Sequence, residues 1–199
     1  MVLTGEVMVS LAKGDKVSLE KQAGGSLALV AMGLGWDAVK KKGFFGFGGG
    51  ANSIDLDASC VLFDASGSRL DVVWFRQLQS RDGSVVHSGD NLTGDGDGDD
   101  EVIAVDLTRL PANVQTLVFI VNSFRGQTFA EVANAFCRMV DRRTGKELAR
   151  YNLSGGQNAT GIIMAKVYRD GSGWSMIAIG EPGQGRTFDD MMDGIRRHV

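Results

Sequence analysis

Short β-branched and apolar runs, each closed by a glycine-bearing turn, recur along almost the whole chain. This punctuation limits what the chain can fold into more than any other feature. Leu27–Met32, Ile54–Phe63, Leu70–Phe75, Val102–Leu107, Leu117–Val121, Phe136–Val140, Glu147–Leu153, Gly161–Tyr168 and Trp174–Ile179 all read as strands. Asp82-Gly83, Thr144-Gly145, Asp170-Gly171 and Ser154-Gly155-Gly156 supply breaks between them. Among 199 residues there are 28 glycines and only 2 prolines, so many turns and left-handed backbone positions are accessible. Leu117–Val121 is apolar throughout, which predicts a strand covered on both faces. The length suits one domain spanning residues 1–199. The predicted class is all-β: a β-sandwich of mainly antiparallel strands with short helices, one of them C-terminal.

Two segments at the N-terminus echo each other, Val9-Ser-Leu-Ala-Lys13 and Val17-Ser-Leu-Glu-Lys21, with Gly14-Asp15-Lys16 between. Their alternation predicts a β-hairpin. Thr128-Phe-Ala-Glu131 has capping-box spacing and predicts a short helix. Thr187-Phe-Asp-Asp190 opens a second, in which Phe188, Met191, Met192 and Ile195 share one face and dock on the sheet. The Gly-rich stretch at 43–50, with Phe44, Phe45 and Phe47, reads as a loop.

Several chemistries are excluded. Gly33-Leu-Gly35-Trp-Asp-Ala38 matches a dinucleotide-binding fingerprint, with Asp55 at the right remove, but Lys42-Gly43 and the glycines beyond would end any helix after a turn. A glycine-containing strand end explains it better. Neither a nucleophile elbow nor a phosphate loop is present. Two histidines and two scattered cysteines, Cys60 and Cys137, do not make a closed zinc site and predict reduced, partly buried thiols. The one basic run, Lys40–Lys42, is too short for a nucleic-acid footprint. No apolar run approaches the roughly 20 residues of a transmembrane helix, and no signal-peptide layout opens the chain.

The most unusual stretch is Ser88–Glu101, which holds Asp90, Asp95, Asp97, Asp99, Asp100 and Glu101 and no basic residue. The whole chain carries only −3, so the acidity is local. Composition leaves two readings, a solvated loop and a cation cage. Calcium takes six to eight oxygens in flexible geometry, and this run offers six carboxylates, the Asn91 amide oxygen and glycine carbonyls. EF-hand spacing from Asp95 fails: Asp100 stands where glycine belongs and Asp106 where a bidentate glutamate belongs. Asp55 and Asp57, two residues apart in a strand, form a second acidic patch, with Asp37 a further candidate. Six loop charges exceed what one ion neutralises, which favours two.

Read together, Gly33-Leu-Gly-Trp-Asp37, Ile54-Asp-Leu-Asp-Ala-Ser59 and Gly89-Asp-Asn-Leu-Thr-Gly-Asp-Gly-Asp-Gly-Asp-Asp-Glu101 resemble the tellurium-resistance TerD family of bacterial stress proteins. The likeness runs from Val9-Ser-Leu-Ala-Lys13 through Asn134-Ala-Phe136 and Glu147-Leu-Ala-Arg-Tyr151 to Gly185-Arg-Thr-Phe188. Trp74-Phe-Arg-Gln-Leu78 and the Gly-rich insert place it nearest the TerZ branch. The resemblance implies a β-sandwich with two bound Ca2+ ions and a role in tellurite resistance. By position it implies Asp55, Asp57, Asp90, Asn91, Asp97, Asp99, Asp100 and Glu101 as ligands, with Asp95 at a more variable place. Partners would be other tellurium-resistance proteins in a membrane-associated complex, and the location cytoplasmic, peripheral to the inner membrane through those partners. The first expectation is therefore a non-catalytic, calcium-binding interaction module. The alternative is a calcium-dependent hydrolytic enzyme using metal-bound water, disfavoured because no Lys or His lies within the acidic cluster and only His87 borders it.

Overall fold

In the computed structural model, the residues described are 9–38, 55–89, 99–153, 158–171 and 173–199. Eleven strands among them form two antiparallel sheets packed face to face. The strands are β1 (Lys16–Ser18), β2 (Leu29–Ala38), β3 (Leu56–Phe63), β4 (Arg69–Val73), β5 (Val85–His87), β6 (Glu101–Asp106), β7 (Thr116–Ser123), β8 (Val132–Asp141), β9 (Glu147–Asn152), β10 (Gly161–Asp170) and β11 (Gly173–Gly183). One sheet runs β1-β11-β10-β7-β3-β4 and the other β5-β6-β2-β8-β9. The predicted sandwich is the observed one.

Alternation explains which side chains fill the interior. Val30, Met32, Leu34 and Trp36 of β2 point inward with Ile103 and Val105 of β6 and Cys137 and Met139 of β8. They meet Leu56, Ala58, Cys60 and Leu62 of β3 and Leu117, Phe119 and Val121 of β7. The opposite face of the six-stranded sheet is also covered. Val61, Phe63, Val118, Ile120 and Ile163 pack there against Phe188, Met191 and Ile195. This second layer is why β3 and β7 are buried at every position, and why their sequences carry long apolar runs.

The covering segment is a 3-10 turn, Asp189–Met191, leading into helix α2 (Met192–Arg196). Asp190 Oδ2 accepts the backbone N–H groups of Arg186 and Thr187 at 2.8 and 3.1 Å, so the Thr-x-x-Asp signal marks a real start. The Thr128 signal yields a single 3-10 turn, Phe129–Glu131, after which β8 begins at once. The turn signals hold as well: Gly83, Gly145 and Gly171 have φ of 71°, 74° and 62°.

The N-terminal hairpin is corrected. Ser10 bridges Arg150 of β9 in the five-stranded sheet, whereas β1 pairs with β11 in the six-stranded one. Gly14 therefore turns the chain from one sheet to the other. The second copy of the echo does not continue as a strand: Ser18 Oγ accepts the Lys21 N–H at 3.4 Å and caps α1 (Leu19–Ala23), which Gly24 ends at φ 76°. Local N-cap chemistry outweighed strand alternation. Both cysteines are fully buried and unpaired with one another, deeper than expected. Gly33 to Ala38 lies within β2, so the glycine motif opens no helix.

Candidate functional site

Sheet topology gathers the candidate residues at one end of the sandwich. β2 ends there, β3 starts, β5 ends, β6 starts, β7 ends and β8 starts. Leu34 pairs with Glu101, Leu56 with Ser123, and His87 with Ile103. Asp37 belongs to β2, which crosses a bulge between Gly35 and Asp37; the extra residue lies on β8, where Asn134 has φ 51°. Freed from regular pairing, the Trp36 N–H donates to Asp100 Oδ2 at 2.9 Å.

Glu101 holds the two sheets together here. Its side chain is fully buried and points inward from β6. Oε2 accepts the Ala58 N–H of β3 at 2.7 Å. His87, also fully buried, approaches the same oxygen at 3.3 Å through Nε2, which lies 3.2 Å from the Ala58 carbonyl oxygen. His87 Nδ1 accepts the Gly89 N–H at 3.0 Å, so Nε2 carries the proton and donates. The backbone of Ala58 is thus gripped on both its N–H and its C=O by side chains from the facing sheet.

Asp55 and Asp57 are each only 5% exposed. Alternation with the inward-facing Ala58 turns Asp57 to the outer side of β3, the side of Val61 and Phe63. Asp55 Oδ2 accepts from Arg125 Nε at 3.0 Å. The structure brings these two carboxylates to the same end as Glu101 but separates Asp57 from it by the thickness of one strand.

Asp99 takes a different route. Its carboxylate lies over Gly33 of β2, where any Cβ would overlap it. Arg138 of β8 grips it with two N–H groups, at 2.8 and 3.2 Å. Arg138 also donates to Glu147, which Arg150 holds at 2.8 Å. The Asp99 hydrogen bond is the main reason the Arg138 guanidinium is raised further above its ordinary value. Burial alone would raise the Glu147 carboxyl, but its bonds from Arg150 and Arg138 outweigh that and hold it below the usual range. An ion bound by Asp99 would compete with this pairing.

Asp90, Asn91, Asp95 and Asp97 lie outside the described residues, as does the loop at 43–50. Among the described residues, no group of three or more His, Cys, Asp or Glu side chains is arranged to hold a metal ion by itself. The donor chemistry nonetheless fits a hard cation. Asp55, Asp57 and Glu101 are carboxylates withdrawn from water at one end of the fold, and buried carboxylates are retained where cations or hydrogen-bond donors compensate them. Soft ligands are absent from that set, which suits calcium better than zinc.

Sequence reasoning singled out Asp55 and Asp57 by their two-residue spacing and the acidic run by its composition. It missed the structural use of His87, and it missed Arg125 and Arg138. Arg125 lies 70 positions from Asp55 and Arg138 39 from Asp99, so nothing local could have paired them.

Comparison with known proteins agrees with this architecture. The chain is 57% identical over 189 residues to the tellurium resistance protein TerZ of Serratia marcescens, covering 94% of this chain and 97% of that one. It is 41% identical over 194 residues to the stress response protein SCP2 of Bacillus subtilis strain 168, covering 92% and 97%. A crystal structure of SAV2460, described as a protein of unknown function, superposes with a TM-score of 0.67 at 27% identity, over 83% of this chain and 96% of that one. Among the described residues no helix is long and apolar enough to cross a membrane. The family model of the TerD domain matches residues 7–193, and the chain belongs to that family.

Proposed function

We propose that this protein is a calcium-binding, non-catalytic interaction module of a bacterial response to tellurite and related stresses. Its relatives carry tellurium resistance and stress response in their names. The observation that carries the calcium reading is the gathering of Asp55, Asp57 and Glu101, all at most 5% exposed, at the end where the acidic run Ser88–Glu101 leaves and rejoins the sandwich. Asp55 and Asp57 supply oxygens on the outer side of β3, and Asp100 and Glu101 supply them where β6 begins. Asp90, Asn91, Asp95, Asp97 and Asp99 complete the set, Asp99 in exchange for its pairing with Arg138. Two separated groups of acids fit two ions. Bound calcium neutralises the repulsion among these carboxylates and ties the chain ends that enter this end of the fold.

A partner rather than a substrate is the expected counterpart. His87, the one histidine beside the acidic run, has Nδ1 occupied by the Gly89 N–H and Nε2 directed at Ala58 and Glu101. It is buried in structural work and is not placed as a general base. The partners are other tellurium-resistance proteins in a complex at the membrane, with this chain on the cytoplasmic side. Calorimetric titration with calcium tests the reading: Asp57→Asn and Asp100→Asn should each weaken binding, and unchanged affinity in both would move the site elsewhere. Turnover of a phosphoester or peptide library that disappears on chelation would favour the hydrolytic reading instead.

A further inference from the structure

We infer that the rim beside Asp55 and Asp57 is a docking surface for anionic phospholipid. This inference rests on the calcium reading above and adds a target for it. β4 and β7 are the two neighbours of β3, and the chain just beyond each carries a phenylalanine. Those rings, Phe75 and Phe124, meet edge-to-face at 5.5 Å, next to the start of β3, where Asp55 precedes the strand and Asp57 lies within it. Trp74 continues the row, 4.8 Å from Phe75 and 5.1 Å from Phe188.

The row is not sealed from solvent. Phe124 is 37% exposed. Arg76 is exposed and lies 5.5 Å from the Trp74 ring and 5.3 Å from the Phe75 ring. Arg125 follows Phe124 and reaches Asp55. Tryptophan and phenylalanine beside arginine suit the boundary between lipid headgroups and acyl chains, where rings enter the apolar layer and guanidinium groups meet phosphate.

Charge explains why calcium matters. Among the described residues Asp55, Asp57, Asp99, Asp100 and Glu101 bring carboxylates to this end, and their charge repels an anionic surface. Calcium bound there lowers that repulsion, the end presents Arg76 and the aromatic row to the headgroups, and the attraction of each nearby basic residue becomes effective. Leu29 and Val86, also exposed, lie elsewhere, on the outside of the five-stranded sheet.

Co-sedimentation of the full chain with vesicles tests this, using phosphatidylcholine alone and phosphatidylcholine mixed with phosphatidylglycerol, each in calcium and in EDTA. Binding is expected only to the mixed vesicles and only in calcium. Arg76→Glu and Phe124→Ser should each lower the partition coefficient by about tenfold, with thermal melts confirming that both variants fold. Leu29→Ser and Val86→Ser should leave it unchanged. Equal partitioning of Arg76→Glu, Phe124→Ser and wild type overturns the inference. Calorimetry on the same sample separates two failures. Calcium bound without vesicle binding refutes the docking surface alone and points to a protein occupant; no calcium bound refutes the reading beneath it.

Discussion

Glu101 gives the sharpest test of how the acidic end is built into the fold. Replacing it with alanine removes the carboxylate that accepts the Ala58 N–H from β6, a 2.7 Å bond in a fully buried setting. A buried donor left without its charged acceptor costs about 1–3 kcal/mol. The missing carboxymethyl group also leaves a cavity beside the neutral His87, so the loss comes to about 2–4 kcal/mol in all. Against a total stability of about 5–15 kcal/mol, such a loss shifts the unfolding midpoint strongly. Glu101→Gln keeps an oxygen for the Ala58 N–H and should cost about 1–2 kcal/mol. The assay is urea unfolding in EDTA, so that metal affinity does not enter, with equal m-values required. A double-mutant cycle with His87→Ala should show a coupling of at least ~0.5 kcal/mol, because both side chains hold the same backbone unit. If Glu101→Ala falls within about 0.5 kcal/mol of wild type, or adds to His87→Ala without coupling, the cross-sheet grip contributes nothing.

Three further outcomes are expected. Gly33→Ala should push Asp99 off Arg138 and lower stability by ~1 kcal/mol, the worth of a partly exposed ion pair with its packing; thermal melts should show the loss absent in an Asp99→Asn background. Glu147 has a folded-state carboxyl below its ordinary value, so its contribution is present above the unfolded value of 4.5 and fades as pH falls through the lower folded one; urea midpoints of wild type and Glu147→Gln should therefore converge on acidification and differ most near neutrality. Burial pushes the Cys137 thiol up to about 12 and raises Cys60 still further, so neither should react with a disulfide reagent until urea unfolds the chain.

The strand run was legible because burial on one or both faces writes itself into the sequence with a period of two or as an unbroken apolar stretch. Leu117–Val121 predicted a doubly covered strand, and the C-terminal segment of Phe188, Met191 and Ile195 is the cover. β5 was not legible: Val85–His87 is three residues long, too short for any periodicity to register. The N-terminal echo misled because Ser18 both ends β1, opposite Ser175, and caps α1, so local N-cap chemistry stopped the second copy from continuing as a strand. At the site, Asp55 and Asp57 showed their spacing, yet β3 turns Asp57 away from Glu101. The grip of Glu101 and His87 on Ala58 joins two sheets. Only the folded chain brings those positions together, 43 and 29 residues apart.

The central claim is that the acidic end of the sandwich binds calcium. Thermal unfolding of the same protein sample in EDTA and in calcium at a hundredfold excess over its dissociation constant measures this directly. Binding to the folded state alone predicts about 2.7 kcal/mol of added stability, a rise in melting temperature of roughly 5–10 °C for a domain of this size. Asp57→Asn and Asp100→Asn together should shrink that rise. Superimposable melts in calcium and in EDTA would contradict the account.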